Sequence, residues 1–319
     1  MSELVSILIP AYRSARTIRA AITSCCAQTY ENIEIIVLNT GTVDHTAEVV
    51  KDIKDNRIQL HEYNENKGIA AARNQLLKLA KGTFIAWLDA DDKMLPERIA
   101  TQVAYFKDHP ETDILGSWIW TDNEELPSKQ LPTSHEDIYH CLWFKNCIIQ
   151  PAVMSRNFYV NENIFYNEAF ANTAEDYELW YRLRDKKRFA NLPNYLTYYH
   201  MTTGAELEQK RTAGHFQENL DALWQIKWQS VKVQLNEEEK SGFVHFLYNN
   251  VSLDQVLARS ILKVLKQLQK SNTDGFFHLI IRYHYLRLWR NMRLDGRLMH
   301  LPLLIHLREW SNFKKHYLM

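Results

Sequence analysis

The sequence predicts an α/β protein: a mostly parallel sheet with helices on both faces, followed by a mostly helical C-terminal region. Strand and helix patterns alternate through the first hundred residues, and two of the strand patterns are unbroken apolar runs, IEIIVL and TFIAWL. Such runs mark strands buried on both faces, as in a parallel sheet covered by crossover helices. Strand signals then fade beyond residue 206.

The elements follow in order. Residues 5–9 read as a strand closed by Pro10. Residues 15–28 have helical spacing, with Ile18, Ile22 and Cys25/Cys26 on one stripe. Residues 33–38 form the second strand, and 44–54 a helix capped by Asp44. Residues 58–63 are a strand, 69–81 a helix ended by Gly82, and 83–88 a buried strand. Pro96 starts a helix that runs to about residue 107. Right-handed βαβ units and a Rossmann-like sheet follow from this order. Residues 217–233, 237–249, 253–270 and 277–292 read as helices, and a domain boundary is placed near residue 205. The first domain is thus residues 1–205, and the helical region is 206–319.

Composition narrows the class. With 319 residues, 46% hydrophobic, and only 9 Gly, 8 Pro and 4 Cys, the chain is neither disordered, collagen-like nor a disulfide scaffold. Formal net charge is zero, yet residues 1–200 carry 27 acids against 21 bases, and residues 201–319 carry 11 against 17. Neutrality is therefore a cancellation between an acidic body and a basic tail. No signal peptide or membrane span is evident, and the cysteines match no zinc spacing. Reduced, mostly buried thiols in a cytoplasmic protein are expected.

Ligands of an open α/β sheet bind beyond the carboxyl ends of its strands. Three segments emerge there: Pro10-Ala11-Tyr12, Asn39-Thr40-Gly41-Thr42 and Asp89-Ala90-Asp91-Asp92. Three carboxylates within four residues repel one another unless solvated or neutralised, and a hard divalent cation provides that neutralisation. A solvated acidic turn is the bland reading of the same residues. The first turn lacks GxGxxG, which argues against a dinucleotide site. A second acidic cluster, Thr173 to Glu178, permits two readings. Thr173 and Asp176 have capping-box spacing, whereas Glu175 or Asp176 would also serve as general base for a hydroxyl.

Taken in order, VSILIPAY, QTY, IEIIVLNTGTVDHT, NKGIAAARN, FIAWLDADDKMLPERI and AEDYELWYRL resemble the inverting family 2 glycosyltransferases. The resemblance covers residues 4 to about 200 and implies the A-type nucleotide-sugar transferase fold. It places Asp89 and Asp91 at the Asp-x-Asp positions and Asp176, with Glu175 beside it, at the position of the acceptor-activating base. It puts Pro10, Ala11, Tyr12, Asn39, Thr40, Gly41, Arg73 and Ala90 along the nucleotide-sugar site. It further implies a divalent cofactor, Mn²⁺ or Mg²⁺, with Asp91, Asp89 and His200 as the metal candidates. The implied partners are a nucleoside-diphosphate sugar, UDP-linked by preference, and a glycan or lipid-linked glycan acceptor such as lipo-oligosaccharide or capsule.

Two departures stand out. Asn39-Thr40 replaces the family's usual acidic pair, and Tyr198-Tyr199-His200-Met201-Thr202 departs from its Tyr-Arg-x-His pattern. The first motivates an alternative, a degenerate nucleotide-sugar-binding or scaffolding subunit without transfer activity.

The tail adds one expectation. Arg282, Arg287, Arg290, Arg293 and Arg297 interleave with Tyr283, Tyr285, Leu288 and Trp289. This pattern suits peripheral contact with an anionic membrane, at the inner face of the cell membrane, through residues 279–319. No nucleic-acid motif accompanies it. The intact chain is therefore expected to float with anionic vesicles at low salt and to be released as salt rises; no flotation at low salt refutes the membrane contact.

Overall fold

The computed structural model describes residues 2–41, 44–121, 129–170, 173–200, 215–229, 235–248, 255–271 and His284. Its centre is an eight-stranded sheet: β1 (Val5–Ala11), β2 (Ile33–Thr40), β3 (Ile58–Tyr63), β4 (Phe84–Trp87), β5 (Lys93–Met94), β6 (Ile114–Thr121), β7 (Met154–Arg156) and β8 (Phe189–Tyr199). The strand order is β3-β2-β1-β4-β7-β6-β8-β5. Only β7 and β5 run against the rest. The helices are α1 (Ile18–Cys26), α2 (Thr46–Lys51), α3 (Ile69–Leu79), α4 (Arg98–Asp108), α5 (His135–Cys141), α6 (Glu175–Leu183), α7 (His215–Gln229), α8 (Glu237–Tyr248) and α9 (Gln255–Ser271).

Alternating side chains of the strands feed two cores, because successive residues point to opposite faces. Val5, Ile7 and Ile9 of β1 pack with Ile22 of α1, Val50 of α2 and Ile99 and Val103 of α4. Leu8, Ile36 and Trp87 pack on the other face with Leu76 of α3, Ile138 of α5 and Trp180 of α6. Trp224 of α7, Phe243 of α8 and Leu265 of α9 belong to that same second core. The expected parallel-dominant sheet with helices on both faces, followed by helices, is what the chain forms.

Several boundaries differ from the sequence expectation. Pro10 does not close β1; it pairs in register with Leu38. Leu8 is the last β1 residue to serve β4, accepting the Leu88 N–H at 3.2 Å. Two residues further along, the missing N–H of Pro10 faces no strand and costs no ladder bond. Asp44 does not cap the 44–54 helix, which is shorter, Thr46–Lys51. His45 holds the cap position, yet the Asp44 carboxylate still accepts the first helical N–H, from Thr46 at 3.2 Å, together with Thr46 Oγ1 at 2.7 Å. It also ties this helix start to the β1–α1 loop through Ala15 N–H at 3.1 Å. Helix α4 begins at Arg98 rather than Pro96, and Gln28 Oε1 receives the Ile99 N–H at 3.0 Å. Strands β5 to β8 had no counterpart in the sequence reading. The expected helix 277–292 and the basic segment 279–319 lie outside the described residues, His284 excepted.

Cys25, Cys141 and Cys147 are buried, Cys26 is partly so, and all four are free thiols. Among the described residues no helix is long and apolar enough to cross a membrane.

One buried cation braces the end of the sheet. Arg98, fully inaccessible, donates to Pro151 O at 2.6 Å, Trp87 O at 3.0 Å and Val153 O at 3.1 Å, and to Gln102 Oε1 at 3.1 Å. It thereby satisfies carbonyls where β4 stops and its loop begins. Val153 O also accepts the Trp87 N–H at 2.9 Å, but replacing Arg98 takes the guanidinium donor from Pro151 O and Trp87 O, each loss costing about 1–3 kcal/mol. Arg98→Ala is expected to lower unfolding stability by about 3 kcal/mol or more, read from the midpoint of a urea titration.

Candidate active site

Strand β4 delivers Asp89–Asp92 to the carboxyl edge of the sheet. The loop turns on the Asp92 N–H, which donates to Asp89 O at 3.1 Å. Asp89 and Asp91 remain partly accessible, whereas Asp92 is 1% exposed. Its Oδ1 accepts the backbone N–H of His200 at 2.7 Å, and its Oδ2 has no partner among the described residues. Burial, and then the charges of Asp89 and Asp91, hold the Asp92 carboxyl well above the usual carboxylate range. Pairing of Lys93 and Met94 with Tyr198 and Thr197 fixes the far end of the loop. The structure thus brings His200 to the acid cluster through its main chain, with the residue itself exposed. Among the described residues no three His, Cys, Asp or Glu side chains form a metal cage.

The second component is Arg73, on the buried face of α3 and only 3% exposed. Its Nη2 donates to Asp89 Oδ1 at 3.0 Å and its Nη1 to Glu175 Oε1. The guanidinium carbon lies 5.8 Å from the centre of the Trp87 ring and 5.7 Å from that of Tyr166. Burial disfavours the cation, but the Glu175 and Asp89 carboxylates outweigh it and hold Arg73 charged, above its ordinary value. Glu175, 7% exposed, is thereby engaged as an anchor.

Asp176 stands beside it, partly accessible at the start of α6. Its Oδ2 accepts from Asn146 Nδ2 at 2.9 Å, and its Oδ1 accepts the Tyr177 N–H at 2.7 Å. Burial raises this carboxyl above the ordinary Asp value, against the pull of Arg73. The capping box expected from Thr173 and Asp176 is not formed. Ala174 occupies the cap with φ of 63°, in the left-handed region, and no side chain caps the helix. Thr173 is instead held from α7: Asn219 Nδ2 donates to its carbonyl at 3.0 Å and to its Oγ1 at 2.9 Å. A second grip comes from Lys227 of α7, fully buried, whose Nζ donates to Tyr177 Oη at 2.7 Å and to Trp143 O at 3.2 Å. Burial pushes the Lys227 ammonium well below its ordinary value. Its Nζ lies 3.9 Å from the centre of the Tyr177 ring.

Beyond β1 and β2 lies the third component. Pro10 and Ala11 are buried in the strand end, while Tyr12 is 43% exposed with the Arg13 guanidinium 5.1 Å from its ring centre. Gly41 has φ of +58°, and a Cβ there would sit 2.9 Å from Asn66 Cβ, so only glycine fits. Thr40, Glu62, Tyr63 and Gly68 help line an open cavity of about 520 Å³. Asn39 is fully buried, and neither its Oδ1 nor its Nδ2 has a partner among the described residues. Thr42 lies outside them.

The sequence-predicted residues therefore fall into two groups that share one edge. Arg73 joins Asp89 and Glu175 by hydrogen bonds, with Asp176 next to Glu175 in the chain, and Pro10 to Tyr12 and Asn39 to Gly41 sit at neighbouring strand ends. Sequence reasoning missed Asn146, Tyr166, Asn219 and Lys227, which hold these groups in place and belong to no motif. It also missed Tyr199, whose hydroxyl is raised by burial and by the charges of Asp89 and Asp92.

Residues 6–193 match the family model described as "Glycosyl transferase family 2". The chain is 33% identical over 205 residues to the "UDP-Glc:alpha-D-GlcNAc-diphosphoundecaprenol beta-1,3-glucosyltransferase WfaP" of Escherichia coli, covering 64% of this chain and 79% of that one. It is 28% identical over 309 residues to an uncharacterized glycosyltransferase of Haemophilus influenzae, covering 88% and 91% of the two chains. Among solved structures, S. aureus TarS 1-349 in complex with UDP-GlcNAc superposes with a TM-score of 0.60 at 18% identity, covering 93% of each chain. That likeness extends the shared fold into the helical region. The family match spans well over half of the chain and its fold agrees: this protein belongs to glycosyltransferase family 2 and is an inverting glycosyltransferase.

Proposed function

We propose that the enzyme moves a sugar from a nucleoside-diphosphate sugar, UDP-linked by preference, to a hydroxyl of a cell-surface glycan precursor carried on a lipid. The observation that carries this reading is the bridge made by Arg73 between Asp89 and Glu175. Through it the acid loop, where a diphosphate belongs, is held against the helix turn that carries Asp176.

Asp176 acts as general base. It is the accessible carboxylate of the pair, Glu175 being committed to Arg73, and Asn146 orients it. As the acceptor oxygen bonds to the anomeric carbon, Asp176 takes the hydroxyl proton and the diphosphate leaves from the opposite face, inverting the centre. A raised carboxyl suits this task, since a base works best when its affinity for the proton is not too low.

The acid loop fits a divalent cation. Three carboxylates share one turn, Asp92 carries an orphaned buried oxygen, and Mg²⁺ or Mn²⁺ takes one or two carboxylates together with phosphate oxygens. Asp91 and Asp89 would hold it, with His200 nearby, and when bound it supplies Lewis-acid charge for the leaving diphosphate. Arg73 then serves a separate purpose: it fixes the direction in which Asp89 presents its second oxygen.

Asn39 does not select the base: its buried amide offers both donor and acceptor, which any nucleobase edge can match, where a carboxylate offers acceptors only. The UDP preference rests on the UDP-sugars named for the E. coli relative and for the TarS complex, and the relative's diphosphoundecaprenol acceptor motivates the lipid-linked class. The boundary near residue 205 would then divide donor-binding residues from helices that steady the base, with the basic tail toward the membrane.

Two measurements test this. In a thermal-shift panel of UDP-, GDP-, CMP- and dTDP-sugars with and without Mn²⁺, a UDP-sugar with metal is expected to stabilise the protein most. Stabilisation by none of them refutes the donor assignment. Asp176→Asn is expected to lower the transfer rate by about 10²–10⁴-fold with donor binding intact; a variant with full activity removes Asp176 from the mechanism.

A further inference from the structure

Resting on the transferase reading above, we propose that Trp118, Trp120 and Tyr195 form a stacking platform for a pyranose ring of the acceptor glycan. Trp120 is 41% exposed, and its ring stacks on Tyr195 at 4.4 Å between centres and 27° between planes. Trp118 meets the same tyrosine edge-on at 5.4 Å and 62°. The rings are also pinned at their polar ends. Trp118 Nε1 donates to Leu131 O at 2.9 Å, and Gln130 Nε2 donates to Tyr195 Oη at 3.2 Å. An aromatic surface held this firmly loses little entropy when a ligand lies on it.

Its place in the fold identifies the ligand. Ile114 packs in the core shared with α5 and α6, and Leu115 in the core on the α4 side. The pairing with β8 is irregular around Trp118, but Trp118 Nε1 bonds to Leu131 O, and the adjoining Pro132 is tied through Asn191 to Cys147 of the core that holds Trp180 of α6. Trp118 therefore lies on the face that carries α6, with Trp120 stacked beside it on Tyr195. In the parallel pairing of β6 with β8, Trp120 lies opposite Tyr198 and Thr121 opposite Tyr199. Tyr198 also pairs with Lys93, and His200, two residues on, donates its N–H to Asp92 Oδ1 at 2.7 Å. The platform thus begins one strand and two residues from the acid loop. Asn39 and Thr40, on the donor side, belong to β2, separated from β6 by β1, β4 and β7. A nucleobase seated there is well away from Trp120.

The chemistry agrees with a sugar. An aromatic face carries negative potential and attracts the weakly positive C–H face of a pyranose, while the ring's hydroxyls project sideways toward groups such as Gln130 and Tyr195 Oη. Two of the exposed aromatic residues, Tyr12 and Tyr63, adjoin the donor side; Trp120 and Tyr198 form a second group at the acceptor end. Neutral stacking suits an acceptor that must be held and then released after gaining one sugar.

The test uses the full chain and octyl β-pyranosides of glucose, galactose and N-acetylglucosamine, followed by tryptophan fluorescence. At least one of them is expected to bind the wild type, with its Kd raised tenfold or more by Trp120→Ala and restored in part by Trp120→Phe. Thermal stabilisation by a UDP-sugar with Mn²⁺ is expected to be equal in all three proteins. If no pyranoside binds the wild type, or if Trp120→Ala binds as the wild type does, the platform is refuted. Loss of the UDP-sugar response in Trp120→Ala also refutes it, since the residue would then serve the fold or the donor. Absence of that response in the wild type strikes the transferase reading, while pyranoside binding at Trp120 would stand on its own.

Discussion

The guanidinium of Arg73 is the constraint around which the site is arranged. A cation that is 3% exposed is stable only when paired, and its two carboxylate partners arrive from the β4 loop and from α6. Glu175 lies 102 residues from Arg73 in sequence, so the pair forms only when the two halves of the sheet have closed on each other. The planar fork matters, because two nitrogens reach two acids at once while Trp87 and Tyr166 lie within reach of its faces. An ammonium on a flexible stem lacks that fixed two-nitrogen fork.

Helix α7 provides a second frame. The family match ends at residue 193, yet Asn219 and Lys227 beyond it hold Thr173 and Tyr177 on either side of Asp176. With Arg73 on Glu175 and Asn146 on Asp176, four near-consecutive residues at one helix start are held from three parts of the chain. The left-handed Ala174 persists because its surroundings over-determine it. The C-terminal helices thus contribute to the geometry of a site whose recognisable motifs all precede them.

Legibility in the sequence followed physical range. The alternation up to α4 was readable because each element buries a face within its own βαβ unit, and the acid loop was readable because its charges are adjacent. Boundaries slipped where a distant group took over a local role, as when Gln28 rather than Pro96 set the start of α4. The capping box failed for the same reason: Asn219 claims the Thr173 hydroxyl. Strand β8 was hidden by Pro193 and Asn194, which interrupt its pattern and sit where its register against β6 slips. Arg73 and Glu175 were each visible as motif residues, but their pairing was not, since nothing local couples residues 102 apart.

The short strand β5 has a consequence for how the protein acquires its site during synthesis. Strands β1 to β4 pair with one another within the first 87 residues and can assemble once those have emerged. Lys93 and Met94, however, pair with Tyr198 and Thr197, and Asp92 waits for the His200 amide. Closing a loop of that length is slow compared with local pairing. A nascent chain therefore carries a formed sheet and an unanchored acid loop until more than a hundred further residues have been made, so donor affinity should be among the last properties to mature.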